Sequence, residues 1–460
     1  MAFAVLVGDG GIGHPRSVTE CERVRDRDEP VIAVAGRRGP HPAWVVAGVG
    51  FVALLGAAAF RSVPGVLMEP LHREFGWSHA TIGAAVSLNL LLYGLISPFA
   101  AALMDRFGIR RVVACALVLV AAGNGLTVFM TASWQLVLTW GLLVGVGVGS
   151  MSMPFVATIT GRWFVRHRGL VTGVLIAAGA TGQLIFLPLI AALADEHGWR
   201  VPALVVAATA LAVVPLVLLF IRDHPADMGV TAYGAPPGDV ALSVPAGAGA
   251  GRALTVLASI ARTRGFWLLA GGFAVCGAST NGLVGTHFVT AAHDHGMPAT
   301  TAAGLLAVIG IFDVAGTILS GWLTDLLDPR YLLLAYYTLR GLSLLILPSL
   351  FAPETEPSMW VFIIFYGLDW IATVPPTVAL CREMFGADGP IAFGWVFASH
   401  QIGAAAAATG AGLVRDLRGS YDLAWLLAGA LCGAAAVMSI LIRRPRPVAV
   451  DSAVDRAVLP

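Results

Sequence analysis

Twelve long apolar runs constrain the fold of this 460-residue chain more than any other feature of its sequence. A helix that crosses a bilayer needs about 20 predominantly apolar residues. Runs of about that length lie at 43–66, 80–100, 112–131, 135–158, 169–192, 201–221, 265–290, 300–323, 331–351, 359–380, 391–413 and 422–442. Only 12% of the residues are charged, against about 25% in a typical soluble protein. The sequence therefore predicts an all-α integral membrane protein with twelve transmembrane helices, and it argues against a soluble enzyme.

The runs fall into two groups of six, separated by a polar stretch at 222–264. This stretch is rich in Pro, Gly and Ala, a composition typical of a flexible linker. We expect an N-terminal six-helix bundle at 43–221 and a C-terminal six-helix bundle at 265–442. The polar ends, 1–42 and 443–460, are expected to be cytoplasmic tails, the first of them disordered.

The placement of arginine predicts the orientation of the chain in the membrane. Arginine supplies all 28 of the positive charges, and lysine is absent from the sequence. With both termini in the cytoplasm, 22 arginines fall in inner tails and loops and 4 fall in outer loops. Because cytoplasmic loops carry an excess of basic residues, we expect a multi-pass protein of the cytoplasmic membrane with both termini inside.

Several kinds of chemistry are excluded by the sequence. Without lysine there is no phosphate-binding loop for ATP and no Schiff base. The five cysteines are scattered and show no metal-ligand spacing, and a zinc-protease or serine-hydrolase motif is absent as well. We therefore expect neither an enzyme, nor a metal site, nor a cofactor. The net charge of +1 gives no indication of a nucleic-acid partner.

A repeated motif supports the division into halves. Span 2 ends in ALMDRFGIRR and span 8 ends in GWLTDLLDPR, which places Asp105 and Asp325 at matching points. The first stretch resembles the signature G-x-x-x-D-R-x-G-x-R-R of the major facilitator superfamily, with Ala101 in place of the leading glycine. The resemblance implies two six-helix bundles, and loops that latch the inner ends of the bundles together in the outward-facing state. The predicted latch residues are Asp105, Arg106, Gly108, Arg110, Arg111, Gly321, Asp325 and Arg330.

Two contacts would make such a latch. An aspartate can accept hydrogen bonds from backbone N–H groups at a helix end, and the arginines can pair across the seam between the bundles. The alternative is that these arginines only follow the excess of basic residues on the inner side.

A second resemblance is to the monocarboxylate transporter family and to its bacterial members. The run WFVRHRGL at 163–170, followed by Gly173, Ala177 and Gly182, resembles the motif of that family's fifth span. The resemblance places Arg61 where the family has a membrane-embedded lysine, and Asp313 on the family's aspartate. The position of the family's partner arginine is Thr317 here. It implies transport of monocarboxylates by alternating access in a bacterial inner membrane.

Arg61 is the candidate anion-binding residue. It is the only charged residue between His41 and Glu69, and an arginine within a bilayer usually faces a cavity or a partner. A guanidinium can bind a carboxylate through two hydrogen bonds, but it cannot act as a proton acceptor. The alternative is that Arg61 extends to the lipid headgroups from the outer end of its span.

Four ionisable residues lie about ten residues into their spans, near the bilayer midplane: Asp313, Arg340, Asp369 and His400. Arg340 is expected to pair with Asp313, or with Asp369 as the second choice. Such a pair can lock helices together without any role in transport. One arginine cannot neutralise two aspartates, so one acid is left to titrate. His400 is a candidate proton carrier or substrate ligand, or a neutral histidine bonded to a carbonyl.

Four further polar residues are candidate substrate ligands, each with helix packing as the alternative: His287, Asn281, Gln183 and Tyr93. The sequence as a whole predicts a secondary active transporter of small organic anions, in particular monocarboxylates, with possible proton coupling. The alternative function is an exporter of amphipathic drugs or cations on the same fold. The expected partners are the substrate, the lipid bilayer and protons, and we expect a monomer.

Overall fold

The computed structural model of the chain describes residues 40–61, 70–77, 79–236, 249–353 and 355–443. The expected N-terminal tail up to residue 39 and the C-terminal tail from residue 444 lie outside these residues, as does 237–248 of the expected linker. The described residues are mostly helical, and Phe164 and Tyr233 form an isolated β-bridge.

The N-terminal half contains helices α1 to α8, and residues 70–75 are also helical. Their bounds are α1 Pro42–Arg61, α2 His79–Leu95, α3 Ser97–Phe107, α4 Ile109–Thr127, α5 Ser133–Leu136 with the π-helical turns Val137–Val144 and the α-helical end Gly145–Ser150, α6 Met153–Trp163, α7 Arg168–His197 and α8 Arg200–Phe220.

The remainder of the described chain contains helices α9 to α16. Their bounds are α9 Ala250–Ile260, α10 Arg264–Gly277 with the π-helical turns Ala278–Val284 and the α-helical end Gly285–Asp294, α11 Ala299–Thr324, α12 Pro329–Ile346, α13 Pro357–Asp369, α14 Val374–Phe385, α15 Gly389–Arg418 and α16 Asp422–Leu441. Helix α9 lies within the stretch that we expected to be a flexible linker.

Prolines set several of the breaks between helices. Pro98 stands in the first turn of α3, Pro154 in the first turn of α6, and Pro375 and Pro376 in the first turn of α14. Proline lacks an N–H group, and the first turn of a helix is the one place where that donor is not needed. Helices α2 and α3 consequently meet at a bend of 53°.

The described residues contain ten helical stretches that are long and apolar enough to cross a membrane, or eleven when the bent pair α2–α3 counts as one span. One of these stretches, Pro357–Arg418, is 62 residues long. At about 1.5 Å per residue it is about 90 Å in length, enough to cross a hydrocarbon core of about 30 Å twice. It is interrupted at Gly386, whose φ is 55°, and the helices on either side of this break, α14 and α15, pack against each other. Each of the twelve predicted runs therefore has a helical counterpart.

One hydrophobic core is shared by the two halves of the sequence. The larger cluster of buried residues includes Met104 and Trp163 of the N-terminal half together with Phe393 and Val396 of α15. Helix α7 packs along α11, and α15 packs on α2, α3 and α6. A second cluster, which includes Phe288 and Trp425, lies within the C-terminal half.

Candidate functional site

The ends of α3, α6, α9 and α14 carry a network of ion pairs, and we call this end of the molecule the charged end. Asp105 accepts a hydrogen bond from Arg162 at 2.7 Å and another from Arg252 at 3.1 Å. Arg252 also donates to Asp388 at 2.7 Å. The side chains of Asp105, Arg162 and Arg252 are only 6 to 13% exposed. Arg252 therefore connects an acid of the N-terminal half to an acid of the C-terminal half.

Asp325 joins the halves in a different way. Its two carboxylate oxygens accept hydrogen bonds from the backbone N–H groups of Gly169, at 2.7 Å, and Leu170, at 2.9 Å. These N–H groups belong to the first turn of α7, where they have no partner within the helix and where the helix dipole favours a negative charge. This is the contact of an aspartate with a helix end that the sequence led us to expect, and it links α11 to α7.

The expectation that the latch arginines pair across the seam is wrong for the residues that the motif singled out. Arg330 pairs with Asp328 at 2.8 Å and donates to the carbonyl of Ile442 at 3.1 Å, both within the C-terminal half. Arg110 contributes its backbone N–H, which donates to Asp223 at 3.0 Å. Arg330 remains on its own side because Asp328, two residues away, holds its guanidinium through several hydrogen bonds.

Arg106 and Arg111 also have other surroundings. The guanidinium of Arg106 lies 5.0 Å from the centre of the Phe107 ring, and Arg111 is exposed. Among the described residues, the arginines that reach across the seam are Arg252 and Arg382. Arg382 donates to the carbonyl of Gly161 at 3.0 Å. The only signal of these two in the sequence is their membership of the inner-side excess of arginine.

Three glycines of the motifs are required by close contacts. Gly108, between α3 and α4, has a φ of 87°, and a Cβ atom there would overlap the carboxylate of Asp223. A Cβ on Gly321 of α11 would overlap the carbonyl oxygen of Gly169 of α7. A Cβ on Gly173 would lie 2.6 Å from the carbonyl oxygen of Thr317. Helices α7 and α11 therefore approach so closely at the charged end because neither carries a side chain at these points.

A second polar cluster is buried within the spans of the C-terminal half. Arg340 of α12, which is fully buried, donates from Nε to Asp369 at 2.6 Å. It also donates to the carbonyl oxygens of Asp369 and Trp370, at 2.5 and 3.1 Å, and to the Cys276 sulfur at 3.1 Å. Our first choice of partner, Asp313, is wrong, and the second choice, Asp369, is correct. The pairing follows from the end of α13, where unpaired carbonyls and a carboxylate face the same guanidinium.

Asp313 of α11 also contacts the break between α13 and α14. Its Oδ1 accepts hydrogen bonds from the Thr317 hydroxyl and from the backbone N–H of Ile371, both at 3.0 Å. The hydroxyl of Ser320, also on α11, donates to the carbonyl of Ala372 at 2.5 Å. Side chains of α11 and α12 thus satisfy the backbone groups at the break, which is the condition for irregular backbone at membrane depth.

Two buried polar atoms near this break have no hydrogen-bond partner among the described residues: Oδ1 of Asp369 and Nδ1 of His400. The His400 ring lies against those of Phe273 and Phe397, with centroid distances of 5.0 and 5.8 Å. Buried polar atoms are nearly always paired, so these two are positions where a proton or a water molecule would be stabilised.

A small cavity of about 30 Å³ lies in the N-terminal half, and all the residues that line it belong to that half. The lining is mostly apolar: Leu54, Ala57, Ala58, Tyr93, Val148, Met151, Ser152, Met153, Val156, Leu175, Ile176 and Gly179. Of the predicted substrate ligands, Tyr93 contributes to the cavity, and its ring meets that of Phe397 at 5.2 Å.

The other predicted ligands have varied surroundings. Arg61 is the last residue of α1, and its side chain lies outside the described residues. Position 61 is three residues beyond Ala58 and four beyond Ala57, so it continues the face of α1 that lines the cavity. Gln183 is half-buried on α7, and Asn281 is exposed in the π-helical turns of α10.

The opposite end of the molecule carries its own contacts. Both ring nitrogens of His287 are engaged, one with the Ala408 carbonyl at 2.8 Å and one with the Tyr421 hydroxyl at 3.1 Å. These contacts tie α10 to α15 and to the start of α16. Arg200 and Trp199 donate to Glu74, at 2.6 Å each, and hold the pKa of that carboxyl below its usual value.

Known proteins share both sequence and fold with the chain. The family model of the Major Facilitator Superfamily matches residues 49–388. The uncharacterized MFS-type transporter YcxA of Bacillus subtilis is 26% identical over 424 residues, covering 88% of this chain and 96% of YcxA. Monocarboxylate transporter 13 of Rattus norvegicus is 27% identical over 399 residues, covering 85% of this chain and 87% of the relative.

Solved structures share the fold at lower identity. The transporter FucP in the outward conformation matches with a TM-score of 0.67 and 17% identity, over 88% of this chain and all of FucP. The proton:xylose symporter XylE matches with a TM-score of 0.66 and 15% identity, over 87% of this chain and 96% of XylE. The predicted arrangement of twelve helices in two bundles is confirmed at the level of the fold.

Proposed function

We propose, because this chain belongs to the Major Facilitator Superfamily, that it carries small organic anions, in particular monocarboxylates, across the membrane by alternating access. It is a membrane transporter and not an enzyme. The observation that carries the choice of substrate is the apolar cavity next to α1. The face of α1 that lines it passes through Leu54, Ala57 and Ala58 and continues to position 61, where the sequence has a permanent cation.

The composition of the cavity supports an acid with one carboxylate. A single guanidinium at position 61 can neutralise one carboxylate through two hydrogen bonds. The rest of the lining offers few polar groups, among them Tyr93 and Ser152, so a second charge would be buried without a partner at a large cost. The carbon body of the acid would contact alanine, leucine, valine and methionine side chains.

Proton coupling is supported by the charges of the buried cluster. Arg340 is engaged with Asp369, whereas Asp313 accepts only neutral hydrogen-bond donors among the described residues. An unpaired buried carboxylate is costly, and protonation removes that cost. We therefore propose Asp313 as the proton-binding residue and His400, with its unpartnered Nδ1, as the second candidate.

Uptake into proteoliposomes tests the proposal. Labelled lactate and pyruvate would be supplied with and without an inward proton gradient, and the expected result is uptake that the gradient accelerates. Arg61→Gln should abolish it, whereas Arg61→Lys, which keeps a cation, should retain part of it. Uptake by Arg61→Gln at the rate of the unmodified protein would remove the anion-binding role.

The runner-up function is the export of amphipathic cations or drugs. The apolar lining of the cavity would suit such ligands, and Asp313 and Asp369 are acids within the same half of the protein. Arg61 and Arg340, the two arginines that lie within the spans, count against a cationic ligand. Thermal shifts of the purified protein with matched panels of anionic and cationic ligands separate the two functions, because only the correct panel should raise the melting temperature.

We also propose that the charged end faces the cytoplasm of a bacterial cell, as the excess of arginine in its loops predicts. With both halves joined at that end, the cavity would open to the outside. The molecule would then be in its outward-facing state, and it would work as a monomer.

A further inference from the structure

The stretch that joins the two halves contains a helix packed against both of them. Helix α9 buries Ala253, Val256 and Ile260, which are spaced three and four residues apart on one face. Leu254 and Thr255 lie on the other side and are exposed. The buried face of α9 contacts α3 of the N-terminal half and α15 of the C-terminal half. A flexible linker has no need of such a face.

Arg252, on the first turn of α9, contacts an acid of each half. Its two terminal nitrogens donate to different carboxylates, to Asp105 at 3.1 Å and to Asp388 at 2.7 Å. Arg252 is 13% exposed, so water screens these pairs less than it screens pairs on an open surface. The planar fork of arginine can hold two carboxylates at once, whereas the ammonium of lysine is a single point charge.

Two further contacts fix α9 in place. The indole N–H of Trp395 on α15 donates to the carbonyl of Ala253 at 3.0 Å. Gly249, directly before α9, has a φ of 59°, and a Cβ atom there would lie 2.7 Å from the guanidinium of Arg106. The start of α9 is thus closely packed on α3 while its second turn is bonded to α15.

We propose that α9 is a strap that holds the charged end closed, and that Arg252 is the positioning residue that fastens it. Alternating access requires the two halves to separate at this end. Separation moves Asp105 away from Asp388, and Arg252 cannot then keep both carboxylates. Each opening therefore breaks at least one of its ion pairs and uncovers part of the apolar face of α9. This goes beyond the proposed substrate and holds for any cargo.

Hydrogen–deuterium exchange of the full-length protein tests the strap without any substrate. The amides of Gly169 and Leu170 are bonded to Asp325 while the end is closed, so opening exposes them. In Arg252→Gln we expect deuterium uptake to be about two- to thirtyfold faster in peptides that cover 168–171 and 250–260, the shift expected from losing two partly exposed ion pairs. In Arg252→Lys, the rate of deuterium uptake should lie between that of the unmodified protein and that of Arg252→Gln.

Two other variants complete the experiment. Arg262→Gln removes an exposed charge just beyond α9 and should leave both peptides unchanged. Asp388→Asn removes one carboxylate from Arg252 and leaves the Asp105–Arg162 pair in place, so it should accelerate exchange less than Arg252→Gln does. It also carries the test if Arg252→Gln does not fold. The proposal that α9 holds the charged end closed would be wrong if exchange were unchanged in both Arg252→Gln and Asp388→Asn. It would also be wrong if Arg262→Gln accelerated exchange as much as Arg252→Gln does.

Discussion

Arg340 shows how one side chain can fix the path of a broken membrane span. It replaces the hydrogen bonds that the last carbonyls of α13 lose when the helix ends at Asp369, and it neutralises the carboxylate at the same place. The embedded charges could be found in the sequence because charges are rare within spans. Their pairing could not, since it depends on where α13 ends.

The Arg340–Asp369 pair leads to a prediction about stability. Arg340→Gln should destabilise the protein by about 3–5 kcal/mol, because it leaves the carboxylate of Asp369 buried without a cation. The double variant Arg340→Gln/Asp369→Asn should recover part of that loss. Thermal melts of the purified variants measure both effects. A double variant less stable than Arg340→Gln alone would show that the buried, uncompensated carboxylate of Asp369 is not the cause of the loss.

Asp313 leads to a prediction about coupling. Asp313→Asn keeps an oxygen that can accept from Ile371 and Thr317, so the variant should fold. It cannot bind and release a proton, so acceleration by a proton gradient should disappear while exchange of labelled for unlabelled substrate continues. Asp416→Asn, an exposed acid at the end of α15, is the matched control. Gradient-driven accumulation by Asp313→Asn would exclude this residue as the proton site.

At the scale of the helices, the sequence predicted the spans well and their ends poorly. Long apolar runs are unmistakable, and each of the twelve has a helical counterpart. The strap helix α9 was missed because it is short and lies in a stretch rich in Gly and Ala. Contacts between helix ends, such as Asp325 with the first turn of α7, depend on the packing of helices far apart in the sequence.

The α7–α11 contact gives a prediction at this scale. Gly321→Ala should destabilise the closed charged end by about 1–3 kcal/mol, the usual cost of overpacking, because the new methyl group meets backbone that no rotamer change can move. Gly304→Ala on the same helix has open space around it and should be neutral or slightly stabilising. Exchange at Gly169 and thermal melts compare the two. Equal behaviour of the two variants would contradict the close approach.

At the scale of the whole molecule, the family and the fold were recognisable from short motifs, whereas the position of the cavity was not. Its lining consists of small apolar residues that look the same in sequence as any packed helix face. Among the predicted ligands whose side chains the structure describes, Tyr93 alone lines it, because the others were chosen for polarity, which the cavity largely lacks.

The proposed orientation can be checked on the intact chain. Green fluorescent protein fused to the C-terminus should fluoresce, and alkaline phosphatase fused at the same place should be inactive, because the first folds in the cytoplasm and the second only outside it. The opposite pattern is expected for fusions placed after Gly296, in the turn between α10 and α11. A phosphatase that is active at the C-terminus would reverse the assignment of the charged end.

The cavity belongs to one half of the sequence and the titratable cluster to the other. Choice of cargo and supply of energy would then reside in different parts of the polypeptide. Substitutions around Ala57 or Val156 could change which acid is carried and leave the driving force intact. Relatives with the same pattern of acids and arginines in their C-terminal half could accordingly transport different substrates.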